Sequence, residues 1–187
     1  MILGFTGYMG SGKSTACQYI LDSYPGWVWI NFKEGLINEI KQNFPDLLRE
    51  IESQRTNDQH MFDIDSLFKD KPPLARALLQ NYGTEVRRRD NPNYWVEIWS
   101  RKVSEAIENG LNVVTDDVRF LNEAAAVKSV GGEIIRIIRS DISTGGTHMS
   151  EVEMNKIVPD IEITCGQGEH QVLYAAINSY IKTHGKD

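Results

Sequence analysis

The chain has 187 residues, 41% of them hydrophobic and 25% charged, with a formal net charge of −6. That length suits one compact domain with a sizeable core, and the acidic balance argues against broad binding to a nucleic acid polymer, which needs basic surface. The longest apolar runs, such as residues 133–138, are far too short to span a membrane, and two cysteines, Cys17 and Cys165, offer no metal-ligand cluster. The sequence enters an apolar stretch at once without a basic leader, so no signal peptide is expected, and reduced thiols and a cytoplasmic setting follow as the default.

In chain order, residues 2–6 read as a short buried strand, followed by a glycine-rich turn and a helix over about 12–24 that Pro25 stops. Residues 26–32 read as a second strand with Trp27 and Trp29 on one face. Residues 33–55 have helical patterning broken at Pro45. The stretch 56–71 is polar and weakly patterned and is expected to be mobile or irregular. A helix follows Pro72-Pro73, and another spans about 92–109, where Asn109-Gly110 makes a C-cap. Residues 111–115 read as a buried strand, 122–130 as a helix ending at Gly131-Gly132, and 133–138 as the next strand. A polar loop with Gly145-Gly146 precedes a last strand at 160–164 and a helix over 169–183. Strands alternating with helices predict an α/β fold: a mostly parallel sheet with helices on both faces, in three layers, with ligand sites at the carboxyl ends of the strands. One domain over residues 1–187 is expected.

The turn after the first strand is Gly7-Tyr8-Met9-Gly10-Ser11-Gly12-Lys13-Ser14, a complete P-loop pattern between strand and helix. Gly7, Gly10, Ser11 and Gly12 permit tight turns that aim backbone amides at phosphate oxygens, and the helix N-terminus adds partial positive charge. Lys13 is expected on the β- and γ-phosphates of ATP, Ser14 on Mg²⁺, and Thr15 as a further phosphate donor. A glycine turn without a ligand is the bland alternative, and the strand–loop–helix context weighs against it. The strand at 111–115 runs into Asp116-Asp117, and one of these carboxylates is expected to hold Mg²⁺ or its water.

A P-loop leaves the job open. A GTPase would carry Asn-Lys-x-Asp, whereas Asn155-Lys156-Ile157-Val158 lacks the aspartate, and a motor would be longer and more basic. A small-molecule kinase remains, for which cationic side chains around the transferring group are expected. Arg119 lies two residues past Asp117, Arg87-Arg88-Arg89 fan around a backbone so that one or two face any ligand, and Arg136 and Arg139 flank the strand leading to a lid over about 139–156. Each of these also reads as a solvated surface arginine. Trp95 and Trp99 stand one helical turn apart and also read as core.

Gln80-x-x-Gly83-Thr84-Glu85-x-x-Arg88, then Trp95-Val96, then Asp117-Val118-Arg119-Phe120-x-Asn122-Glu123, together resemble the deoxynucleoside monophosphate kinases of phages and bacteria. His148-Met149-Ser150-Glu151 resembles that family's lid signature. The resemblance implies a P-loop kinase fold with an acceptor-binding helical region over about 33–109, and transfer of the γ-phosphoryl group of ATP to a deoxynucleoside monophosphate. It puts Asp117, not Asp116, in the acidic place, so that Asp117 and Arg119 join Lys13 of the loop and Arg139 of the lid strand as the expected catalytic residues, with Ser14 and Asp117 on the metal. It puts Arg88 and Arg119 on the acceptor phosphate, and Gln80, Gly83, Thr84, Trp95 and Glu123 around the acceptor, with Trp95 stacked on its base. Partners would be small nucleotides, with no nucleic acid polymer and no membrane, and a homodimer is left open. Rival readings are a kinase of another phosphorylated small molecule, such as phosphomevalonate, and a nucleotide-binding protein without transfer activity.

Overall fold

A computed structural model describes residues 1–55, 67–68, 72–141 and 149–185, with residues 54, 55, 84 and 85 described by their backbone alone. The polar stretch 56–71, apart from Leu67 and Phe68, lies outside the described residues, as do His60, Gly145-Gly146 and His148. The elements are β1 (Ile2–Thr6), α1 (Lys13–Ser23), β2 (Trp27–Trp29), α2 (Phe32–Asn43), α3 (Pro45–Arg55), α4 (Pro73–Gln80), a π-helix (Asn81–Arg88), α5 (Tyr94–Glu108), β3 (Asn112–Thr115), α6 (Leu121–Ser129), β4 (Glu133–Arg139), α7 (Met149–Met154), β5 (Ile161–Cys165) and α8 (His170–His184). None of the described helices is long and apolar enough to cross a membrane.

The five strands lie in the order β2-β3-β1-β4-β5, and every neighbouring pair is parallel. Parallel strands need crossover helices, and those helices bury both faces of the sheet. Alternation along each strand divides the residues between two layers. Leu3, Phe5, Ile135 and Ile137 join Ala16, Cys17 and Ile20 of α1 and Leu173, Ile177 and Ile181 of α8 in one apolar cluster. On the other face Gly4 admits α6: a Cβ there would come within 3.0 Å of Val118 and Ile134 and 3.2 Å of Val127. The fold is thus a three-layer α/β sandwich. Pairing of Gly4 with Thr115 sets the carboxyl ends of β1 and β3 side by side, so the loop after β1 and Asp116 emerge from the same end of the sheet.

Backbone clustering divides the chain into two compact units, Met1–Phe32 with Trp99–Asp187, and Lys33–Ile98. The second unit is helical wherever it is described as regular, and its core gathers Ile40, Leu48, Ile51, Leu67, Phe68, Ala75, Tyr82 and Trp95. Gly35 and Gly83 are its points of closest packing: a Cβ on Gly35 would sit 3.1 Å from Ile98, and one on Gly83 would sit 2.8 Å from Leu36.

Three elements differ from expectation. The second strand stops at Trp29 instead of running to residue 32, because the Phe32 amide donates to Asp117 Oδ1 at 3.1 Å and the Asp116 amide to Asn31 Oδ1 at 3.3 Å, which turns the chain into α2. Met149–Met154 is a short helix where a polar loop was expected. The Gln-Gly-Thr-Glu-Arg block continues α4 as a π-helix, a wider turn that periodicity at 3.6 residues does not reveal.

Candidate functional site

The loop after β1 is held in a tight form. Gly7 has φ of 139°, and a Cβ there would lie 2.4 Å from the Ile137 carbonyl oxygen, so only glycine fits. Gly12, at φ 102°, caps α1, and the Ala16 amide donates to Gly12 O at 2.9 Å. The first turn of α1 therefore starts at Lys13, with its leading amides directed out of the helix end. Lys13 is 8% exposed, and its ammonium donates to Gly7 O at 2.8 Å, Tyr8 O at 2.7 Å and Ser11 Oγ at 3.3 Å. A cation with its three protons directed into a ring of oxygens is ready to exchange those partners for phosphate oxygens.

Ser14 Oγ donates a short hydrogen bond to Asp116 Oδ2. A hydroxyl and a carboxylate in contact make a pair of hard oxygen ligands, the kind that suits Mg²⁺ with water completing its shell. Asp117, expected on the metal from the family pattern, accepts through Oδ1 from Thr115 Oγ1 at 2.9 Å and from the Phe32 amide at 3.1 Å. Of the two adjacent carboxylates, Asp116 is the one in contact with Ser14. β3 ends at Thr115, and Asp116 is the first carboxylate beyond it.

Arg119 is half-buried, and its guanidinium makes no hydrogen bond to a described residue, which leaves it available to a ligand. Its backbone is fixed instead. Glu123 Oε2 accepts from the Arg119 amide at 2.7 Å and the Phe120 amide at 3.0 Å, closing the start of α6. Glu123 is 2% exposed, and its carboxylate holds the Arg119 backbone in place.

Arg139 reaches the loop as well. Its Nη1 donates to Gly10 O at 3.2 Å, and its Nε and Nη2 grip Asp141 at 2.8 Å each. The paired hydrogen bonds hold the Asp141 carboxyl below the usual carboxylate range and raise the Arg139 guanidinium. Arg136 is committed to the fold, with Nη2 on the carbonyls of Met154 and Ile157. Tyr8 in the loop donates through its hydroxyl to Asn155 Oδ1 at 2.8 Å, a tie that the sequence did not suggest. Ser150, from the lid signature, is buried in α7.

In the second unit, Gln80 is exposed at the end of α4, and Gly83 lies in the π-helix beside Leu36. Arg88 Nη1 approaches Pro92 O at 3.4 Å. Trp95 is 2% exposed, with its Nε1 donating to Gly83 O at 3.0 Å. Its ring packs in the unit's own core, one of the two readings the sequence offers for it. Trp99 is core too, stacked on Phe32 with ring centroids 4.6 Å apart and donating to Ile30 O at 3.1 Å.

No family model matches the sequence. The chain is 32% identical over 168 residues to the "Putative deoxynucleotide monophosphate kinase" of Acanthamoeba polyphaga mimivirus, covering 84% of this chain and 83% of that protein. It is 31% identical over 158 residues to "Uncharacterized protein ORF77" of Ictalurid herpesvirus 1 (strain Auburn), covering 82% of this chain and 59% of the relative. Among solved structures, TT1252 from Thermus thermophilus aligns over 100% of this chain and 98% of its own, at 13% identity and a TM-score of 0.48.

Proposed function

This chain belongs to the deoxynucleotide monophosphate kinase family, and we propose that it transfers the γ-phosphoryl group of ATP to a deoxynucleoside monophosphate, giving ADP and a deoxynucleoside diphosphate. The observation that carries the reading is the Ser14–Asp116 contact beside the Lys13 loop, a donor-phosphate and metal site of the kind that phosphoryl transfer requires. Lys13 and the amides of the loop hold the β- and γ-phosphates. Ser14 and Asp116 are the residues that would hold Mg²⁺, whose charge offsets that of the phosphates. Arg119 stabilises charge on the transferring group, its backbone steadied by Glu123. Arg139, already on the rim of the loop at Gly10, adds a second cation there.

The acceptor side rests on Gln80, Gly83, Thr84 and Arg88, the block that matches the family, with Arg88 on the acceptor phosphate. Trp95 supports this block from beneath by taking the Gly83 carbonyl. The phosphate of a nucleoside monophosphate is already an anionic nucleophile, so the reaction needs positioning and charge stabilisation and no protein base.

The test is ADP release from ATP and Mg²⁺ with dAMP, dCMP, dGMP, dTMP, their ribose counterparts and phosphomevalonate as separate acceptors. Stimulation by one or more deoxynucleotides, weaker with ribose forms, is the expected result. Silence with every nucleotide while ATP still binds would sink the acceptor assignment and leave the loop chemistry standing.

A further inference from the structure

Glu39 of α2 gathers three donors from the second unit: Tyr82 Oη at 3.1 Å, Arg87 Nε at 2.9 Å and Tyr94 Oη in a short hydrogen bond. Asn43 Nδ2 donates in turn to Tyr82 Oη at 3.2 Å. The Arg87 guanidinium lies over two rings, 5.4 Å from the centroid of Tyr82 and 5.1 Å from that of Tyr94. Tyr82 and Tyr94 are themselves packed edge-on, against Phe44 at 5.3 Å and Trp95 at 4.8 Å. This network ties α2, the π-helix and α5, and it fixes Arg87 through its Nε and the two rings that its guanidinium lies over. Arg89 is exposed beside Asp90.

Arg87 is not a closed structural pair. Its side chain is 37% exposed while that of Glu39 is 17% exposed, and Nε is its hydrogen-bonding atom among the described residues. With Nε held and the plane fixed by the rings, the two terminal amino groups make the paired donor edge that matches a phosphate or carboxylate. An arginine normally gives up much rotamer freedom on binding an anion, and here folding has already removed that freedom. Pairing with Glu39 offsets its charge, so the edge selects by geometry and hydrogen bonding more than by net attraction.

We propose that Arg87 is a pre-set oxyanion fork that binds the phosphate of the acceptor, with Glu39 as its positioning residue. The proposal rests on the reading above that the acceptor carries a phosphate, and it adds Arg87 to the arginine that the family pattern selects. Arg87 lies near the end of the π-helix, where α2 and α5 together lock its side chain.

The experiment compares the full chain, Arg87→Lys and Glu39→Gln, each saturated with a non-hydrolysable ATP analogue and Mg²⁺ so that the phosphate loop is filled. Calorimetry measures affinity for methyl phosphate, for dTMP and for thymidine, and thermal melting is recorded for each variant. Arg87→Lys is expected to weaken methyl phosphate and dTMP at least about tenfold while thymidine affinity and melting temperature hold. Glu39→Gln keeps the shape and is expected to weaken the same two ligands by a smaller factor. Unchanged phosphate affinity in both variants overturns the proposal. So does a joint fall of dTMP, thymidine and melting temperature, which marks a purely structural tie. If Arg87→Lys fails to fold, Glu39→Gln decides by the same ratio. Loss of methyl phosphate binding in a protein that turns over no nucleotide keeps the fork and rejects only the nucleotide acceptor.

Discussion

The carboxyl ends of β1 and β3 and the helical unit of residues 33–98 use their glycines and charges in opposite ways. At the strand ends, Gly7 and Gly12 take backbone angles that side chains resist, and the polar groups of Lys13, Ser14 and Asp116 are engaged by bonds a ligand can replace. In the helical unit, Gly35 and Gly83 serve close packing, and the polar groups of Glu39, Tyr82, Arg87 and Tyr94 satisfy one another. The first arrangement is poised for exchange and the second is set before any ligand arrives.

Four substitutions would break or sharpen this comparison. The largest effect is expected from Arg119→Ala, which should lower turnover by roughly two to three orders of magnitude and leave ATP affinity nearly intact. Steady-state kinetics beside ATP calorimetry measures both, and near-wild-type turnover would remove Arg119 from the chemistry.

Next come the two neighbouring carboxylates. Asp116→Asn should cut turnover by about a hundredfold and raise the Mg²⁺ concentration needed for half-maximal rate, with little change in melting. Asp117→Asn should do the reverse, costing about 1–2 kcal/mol of stability through the bonds to Thr115 and Phe32. Mg²⁺ titrations showing the stronger dependence at Asp117 would favour the family assignment and reject Asp116.

The smallest effect belongs to Trp95→Phe, which keeps an aromatic ring in the core and loses the bond to Gly83 O. It should cost about 1 kcal/mol of stability. Acceptor affinity should change little if Trp95 is a packing residue. A large loss of acceptor affinity at unchanged stability would mean that its ring meets the base after all.

Much of this architecture was legible without coordinates because it is written in local patterns. Two-residue alternation and continuous apolar runs marked β1, β3 and β4, and Pro25, Pro45 and Pro72-Pro73 marked where helices stop and start. The phosphate loop needs only short-range geometry, so its glycines and Lys13 could be assigned from spacing. The acceptor side was harder. Arg87, Arg88 and Arg89 are equivalent in sequence, and their environments differ because α2 supplies Glu39 from 48 positions away to one of them.

Sequence by itself determined the α/β class, the loop and its position after β1, since each depends on residues within a few positions of one another. Tertiary structure decided which of two adjacent aspartates meets Ser14 across 102 positions, and that Glu123 is spent on the Arg119 backbone. It also decided that Trp95 belongs to a core. Those outcomes depend on which face of a strand end or helix meets a partner distant in sequence, and a shift of one residue reverses the answer.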